Sequence, residues 1–132
     1  MAQKGNRVML IDTNIFVDYL RGYAPAQRFF DLLDPDDEVV FSAITETEIL
    51  AGSANNDDKI REKTMLLLKQ WTKLSLNNPA AMFAGDLRRE YGLAIPDAII
   101  AAMSRAYNAE LITRNVKDFQ HVPDLRVRAP YS

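Results

Sequence analysis

The chain has 132 residues, 48% of them hydrophobic and 26% charged, the profile of one ordinary globular domain expected to span residues 1–132. A net charge of −2 excludes holding a polyanion by general surface charge, so any nucleic-acid role needs a local patch, a bound cation or a partner. With no cysteine, no apolar run long enough to cross a bilayer and an opening "MAQKGNR" that lacks the apolar core of a secretory signal, disulfide-built, Cys–zinc and membrane-spanning classes are excluded and a cytoplasmic protein is expected.

Arg7 to Ile11, short and apolar, is expected as a buried strand. Ile15 to Arg21 follows as a helix ended by Gly22, and Ala26 to Leu33 as a second helix stopped by "DPDD". Glu38 to Phe41 reads as a strand and Thr45 to Ala51 as a helix. Lys59 to Thr72 is an amphipathic helix, with Ile60, Thr64, Leu67, Leu68 and Trp71 spaced along one face. Met65 and Leu66 widen that stripe, which reads as core packing and also suits a dimer contact. Leu74 to Leu76 is a short strand, and Ala80 to Tyr91 a helix closed by Gly92. Pro96 to Tyr107 is helical, with Ile99, Ala102, Met103 and Ala106 facing inward. Glu110 to Thr113 and Leu125 to Val127 are the last strands. This alternation implies an α/β fold with a mainly parallel sheet of about five short strands, covered on both faces. In such sheets ligands bind beyond the carboxyl ends of the strands.

Four acids then stand out, and each alone is explained by helix capping. Asp12 follows the first strand and can cap the next helix. Thr45 and Glu48 match the spacing of a capping box. Asp97 follows Pro96 in a first turn, where acids favour the helix dipole. Asp118 follows Asn115 by three, another box-like cap. Together they mean more. In a βαβ layout helix N-termini gather at the strands' C-terminal edge, so all four carboxylates would converge there. Like charges at close range repel and hold their protons unless a cation neutralises them. Oxygen-only ligands favour Mg²⁺ or Mn²⁺, and an acidic, oxygen-only metal site suggests phosphoryl chemistry. Zinc is disfavoured by the lack of Cys and the single His121, which reads as surface.

The same residues carry a resemblance. "MLIDTNIFVDYL", "FSAITETEILAG", "LAIPDAIIAA", "LITRNVKDF" and "VPDLRV" occur in the order of the PIN-domain ribonucleases, and the chain resembles in particular the VapC-type toxins of toxin–antitoxin pairs. The resemblance covers nearly the whole chain. It implies a PIN-like three-layer α/β/α sandwich. It also implies that Asp12, Glu48, Asp97 and Asp118 hold the catalytic metal, although some members carry the fourth acid at the position of Asn115. Thr13, Asn14 and Thr113 resemble groups that orient carboxylates or water, with Asn115 as a polar neighbour. Arg114, beside the acids, is the candidate for contact with RNA, while the remaining arginines read as solvated helix faces. The implied reaction is Mg²⁺- or Mn²⁺-dependent hydrolysis of an RNA phosphodiester, leaving a 5′ phosphate and a 3′ hydroxyl. The implied partners are a cognate antitoxin protein and a second copy of the chain, in a homodimer or a larger toxin–antitoxin complex.

Rival readings are weaker. A phosphatase of the haloacid dehalogenase type needs an acid two residues after the first Asp, and Asn14 stands there. A receiver domain needs an Asp after its middle strand, and "LSLNNPA" has none. No P-loop or G-x-G-x-x-G occurs. A PIN fold used only as an RNA- or protein-binding module is the alternative, opposed by the complete set of acids.

Overall fold

The computed structural model describes residues 7–132. Met1 to Asn6, part of the segment read above for a secretory signal, lie outside the described residues. Five strands form one sheet: β1 (Val8–Ile11), β2 (Glu38–Ser42), β3 (Thr72–Leu74), β4 (Glu110–Ile112) and β5 (Val127–Arg128). Their order is β3-β2-β1-β4-β5, and every neighbouring pair is parallel. The sheet is thus the expected one, with the purely parallel pairing that two covered faces allow.

Seven α-helices connect and cover the strands among the described residues: α1 (Thr13–Leu20), α2 (Ala24–Asp31), α3 (Ala43–Leu50), α4 (Asp58–Lys69), α5 (Asn78–Tyr91), α6 (Ile95–Ala106) and α7 (Val116–Phe119). The two-residue repeat of strand side chains divides the core. Leu10, Val40 and Leu111 face one way, onto Ala84 and Leu87 of α5, Ala98 and Ala101 of α6, and Phe119. Met9, Ile11, Val39, Phe41 and Ile112 face the other way, onto Ile15 and Phe16 of α1 and Leu67 and Leu68 of α4. The result is the expected three-layer α/β/α sandwich.

Differences from the sequence reading have local causes. α4 stops at Lys69, because Thr72 already belongs to β3, which lies two residues before its expected position. Trp71 therefore leaves the helical stripe and stacks on Phe30, with ring centroids 6.0 Å apart. Thr64, Leu67 and Leu68 are buried as expected, but Ile60 and Leu66 are exposed. α2 starts two residues early, with Pro25 in its first turn, a position where the missing N–H costs nothing. α6 buries Ile100, Ala101 and Ser104 as well as Ala102 and Met103, since it lies between the sheet and α5, whereas Ala106 is exposed. β5 starts at Val127, where the expected strand ended. Gly92 caps α5 in the left-handed region, at φ +70°, as its position predicts.

β1 lies between β2 and β4, and the connections diverge there, so a crevice opens beyond the carboxyl ends of β1 and β4. Phe119, fully buried, anchors the four-residue α7 beside that crevice. Phe119→Ala is expected to lower stability by about 3–5 kcal/mol, read as a fall in the urea unfolding midpoint.

Candidate active site

The chain leaves β1 at Ile11, and the next residue stands at the crevice. Asp12 is only 4% exposed. Its Oδ1 accepts the Thr13 backbone N–H at 2.7 Å, which caps α1 as expected. Its Oδ2 accepts the Thr113 hydroxyl at 2.7 Å and the Asn14 side-chain amide at 3.4 Å. Thr113, just past β4 and fully buried, accepts in turn from the Asn115 N–H at 3.1 Å and from Asn14 Nδ2 at 3.3 Å. Asn14, Thr113 and Asn115 therefore form one network around a single carboxylate.

Glu48 reaches the same place by another route. The capping box expected of Thr45 and Glu48 does not form. β2 runs to Ser42, whose hydroxyl accepts the Ile44 N–H at 3.1 Å and takes the cap, so α3 begins before Thr45. Glu48 accordingly sits in the second turn of α3, not at its N-terminus. The Thr13 hydroxyl donates to Glu48 Oε1 at 2.7 Å and lies 3.0 Å from Thr45 Oγ1. Thr13 thus links Asp12 to Glu48, its backbone serving one acid and its side chain the other.

Asp97 is in the first turn of α6, whose cap residue Ala94 offers no side-chain acceptor. Asp118 is in the first turn of α7, but the box-like cap with Asn115 is absent. Asn115, at φ −97° and ψ 49°, lacks the extended backbone of a capping residue, and its N–H goes to Thr113.

Electrostatics brings the four together. Burial pushes the Asp97 carboxyl up to about 6, and the charges of Asp12, Asp118 and Glu48 push in the same direction. Burial also raises Asp12, helped by Glu48, while the bonds from Thr113 and Thr13 and the charge of Arg114 pull it back. The four acids therefore share one neighbourhood. Among the described residues no three His, Asp or Glu side chains are already gathered as an ion cage. Asp12 and Glu48 are both turned to threonine donors. The donors still suit a hard divalent cation, because all are oxygens and three further carboxylates act on Asp97. His121 is exposed, as read from the sequence.

Two residues here were missed. Arg114 Nε lies 2.9 Å from Asp18 Oδ2, and the Tyr131 hydroxyl donates to the same oxygen at 2.7 Å. An acid inside the otherwise apolar run "NIFVDYL" was the available signal for Asp18. Tyr131, 113 positions further on, gave none.

Comparison with known proteins follows from this geometry. A model of the PIN domain matches residues 9–125. This chain belongs to the PIN-domain family. Within that family, Ribonuclease VapC19 of Mycobacterium tuberculosis is 33% identical over 129 residues, covering 89% of this chain and 96% of that protein. Ribonuclease VapC1 of Haemophilus influenzae strain R2866 is 35% identical over 130 residues, covering 90% of this chain and 95% of that protein. Among solved structures, a chain of a toxin–antitoxin complex from Klebsiella pneumoniae matches with a TM-score of 0.78 and 33% identity, covering 94% of this chain and 98% of that one. The PIN domain described here is therefore one of the VapC group.

The raised Asp97 carboxyl has a measurable consequence. The folded chain binds this proton more tightly than the unfolded chain, whose carboxyl titrates near 3.8. The stabilisation is complete below that value and is lost as pH rises through about 6. In EDTA, the unfolding midpoint of Asp97→Asn is expected to rise relative to that of the wild type between these pH values. A difference that stays flat with pH would contradict the assignment.

Proposed function

We propose that the protein is a metal-dependent endoribonuclease and the toxin of a type II toxin–antitoxin pair. The observation that carries this reading is the placement of Asp97. It is half-buried, and burial together with the charges of three other carboxylates raises it. The VapC ribonucleases that match along almost the whole chain support it, as does the likeness to a solved toxin–antitoxin complex.

In this reading Asp12, Glu48, Asp97 and Asp118 hold Mg²⁺ or Mn²⁺. The bound ion supplies positive charge and Lewis acidity at the phosphodiester. The protein's own residues do the positioning. Thr13 and Thr113 hold Asp12 with one donor on each oxygen, so its orientation is set before an ion or RNA arrives. Thr13 does the same for Glu48. Asn14 spans Asp12 and Thr113 and keeps β1 and β4 together at the crevice. Water then attacks phosphorus in line with the 3′ oxygen. The new P–O bond replaces the P–O3′ bond; the water gives up a proton and the departing 3′ oxygen takes one up, leaving a 5′ phosphate and a 3′ hydroxyl.

The net charge of −2 gives RNA no general attraction, and the ion would supply positive charge at the phosphodiester. The partners in this reading are the RNA substrate, a cognate antitoxin protein and a second copy of the chain. Leu66 on α4, exposed where core packing was expected, is consistent with the contact between copies. As a toxin acting on cellular RNA, the protein would work in the cytoplasm. No helix among the described residues is long and apolar enough to cross a membrane.

The test is RNA-end sequencing after incubating total cellular RNA with the purified protein, in Mg²⁺ or EDTA. New 5′-phosphate ends are expected only in Mg²⁺. Asp97→Asn should stay folded and reduce cleavage by roughly a hundredfold or more, on the scale of losing a group that stabilises the transition state. New ends that persist in EDTA or in Asp97→Asn would refute the metal site. Metal binding without cleavage of any RNA would favour a binding-only PIN domain.

A further inference from the structure

Arg114 is a cation at the edge of an acidic site, yet its ion pair is with none of the four acids. It follows Thr113, the residue that holds Asp12, and its own N–H donates to Asn14 Oδ1 at 3.4 Å. Its charge is felt at Asp12. Its Nε, however, lies 2.9 Å from Asp18 on α1. Asp18 is 8% exposed, and the Tyr131 hydroxyl donates to the same oxygen at 2.7 Å. Burial and the Asp18 charge push the Tyr131 phenol above its ordinary pKa, so it remains a donor. The Tyr131 ring is wedged edge-on against Tyr23, with centroids 5.6 Å apart.

This arrangement solves a specific problem. An unrestrained arginine beside four carboxylates would fold onto them and compete with any cation there. A dedicated counter-ion one helix turn away gives it another anchor. The contact given for this pair is through Nε. Among the described residues the two terminal nitrogens of Arg114 donate no hydrogen bond, and the side chain is half-exposed. Those nitrogens form the fork that matches two oxygens of a phosphate group.

We propose that Asp18 and Tyr131 are positioning residues that hold the Arg114 guanidinium at the rim of the acidic crevice, where its free edge takes a backbone phosphate of the RNA strand. This rests on the ribonuclease reading above. Arg114 contacts substrate; Asp18 and Tyr131 act through it. The ordering of a long side chain is completed during folding, and so is not charged against RNA binding.

The test is steady-state cleavage of a short RNA spanning a mapped cut site. It compares wild type, Arg114→Ala, Tyr131→Phe and the double variant at saturating Mg²⁺. Arg114→Ala is expected to raise KM roughly tenfold, as for a lost charge-assisted phosphate contact. It should also make the salt dependence of binding shallower by about 0.7 in log–log slope, the value for one contact to a single strand. Tyr131→Phe removes one hydroxyl and should raise KM roughly threefold, the scale of one hydrogen bond, with a smaller change in kcat. In the double variant Tyr131→Phe should add nothing, because its effect passes through Arg114. A Tyr131→Phe effect on KM that persists without Arg114, or a change in unfolding with KM unmoved, would overturn the proposal. Wild-type cleavage with a KM indifferent to Arg114 would overturn the clamp alone. A wild type that cuts no RNA would overturn the ribonuclease reading and the clamp with it.

Discussion

A carboxylate taken out of water at the end of the central strand is the constraint to which the rest of the structure answers. Asp12 is almost fully buried, and a buried carboxylate without hydrogen bonds costs several kcal/mol. Its acceptors must therefore meet donors, and those donors come from both neighbouring elements. The register of β1 against β4 aligns Ile11 with Ile112. One step further on, the Asp12 N–H donates to the Ile112 carbonyl at 2.9 Å. That step places the Thr113 hydroxyl against the carboxylate. A slip of one residue would exchange the side chains of the two core layers and remove the donor in the same step. Core packing and site geometry are thus fixed by the same register.

Around that carboxylate the sheet divides the labour between its two faces. One face packs α5, α6 and α7 and brings Asp97 and Asp118 to the crevice in helix first turns. The other packs α1 and α4, with α1 carrying Thr13, Asn14 and Asp18 in little more than one turn. Burial first, and then the charges of Asp12, Asp118 and Glu48, raise the Asp97 carboxyl in the folded state. Stability is given up at the place where charge is needed, a common arrangement at functional sites.

Much of this was legible in the sequence, for identifiable reasons. β1 and β2 announce themselves as short apolar runs, and α5 ends at Gly92 because only a left-handed cap stops it there. The short edge strands were harder. β3 has three residues, two of them exposed polar ones, so no apolar run marks it. β5 has two and owes its position to pairing with β4. Asp12, Asp97 and Asp118 were legible because each follows a strand or opens a helix, whereas Glu48 was singled out through a cap that does not form. The capping reading misplaced Glu48 and misread Asn115, since Ser42 takes the α3 cap and Thr113 takes the Asn115 N–H, each only a few residues away. The Asp18–Arg114–Tyr131 cluster depends on packing across the whole chain, which no local pattern encodes.

The separation of these partners along the chain has a consequence for folding. Asp12 and Thr113 stand 101 positions apart, and they meet only where β1 and β4 lie side by side. Closing so long a loop costs chain entropy that local contacts cannot offset. Loss of the central strand pairing therefore opens the core and strips the carboxylate of its donor in one event.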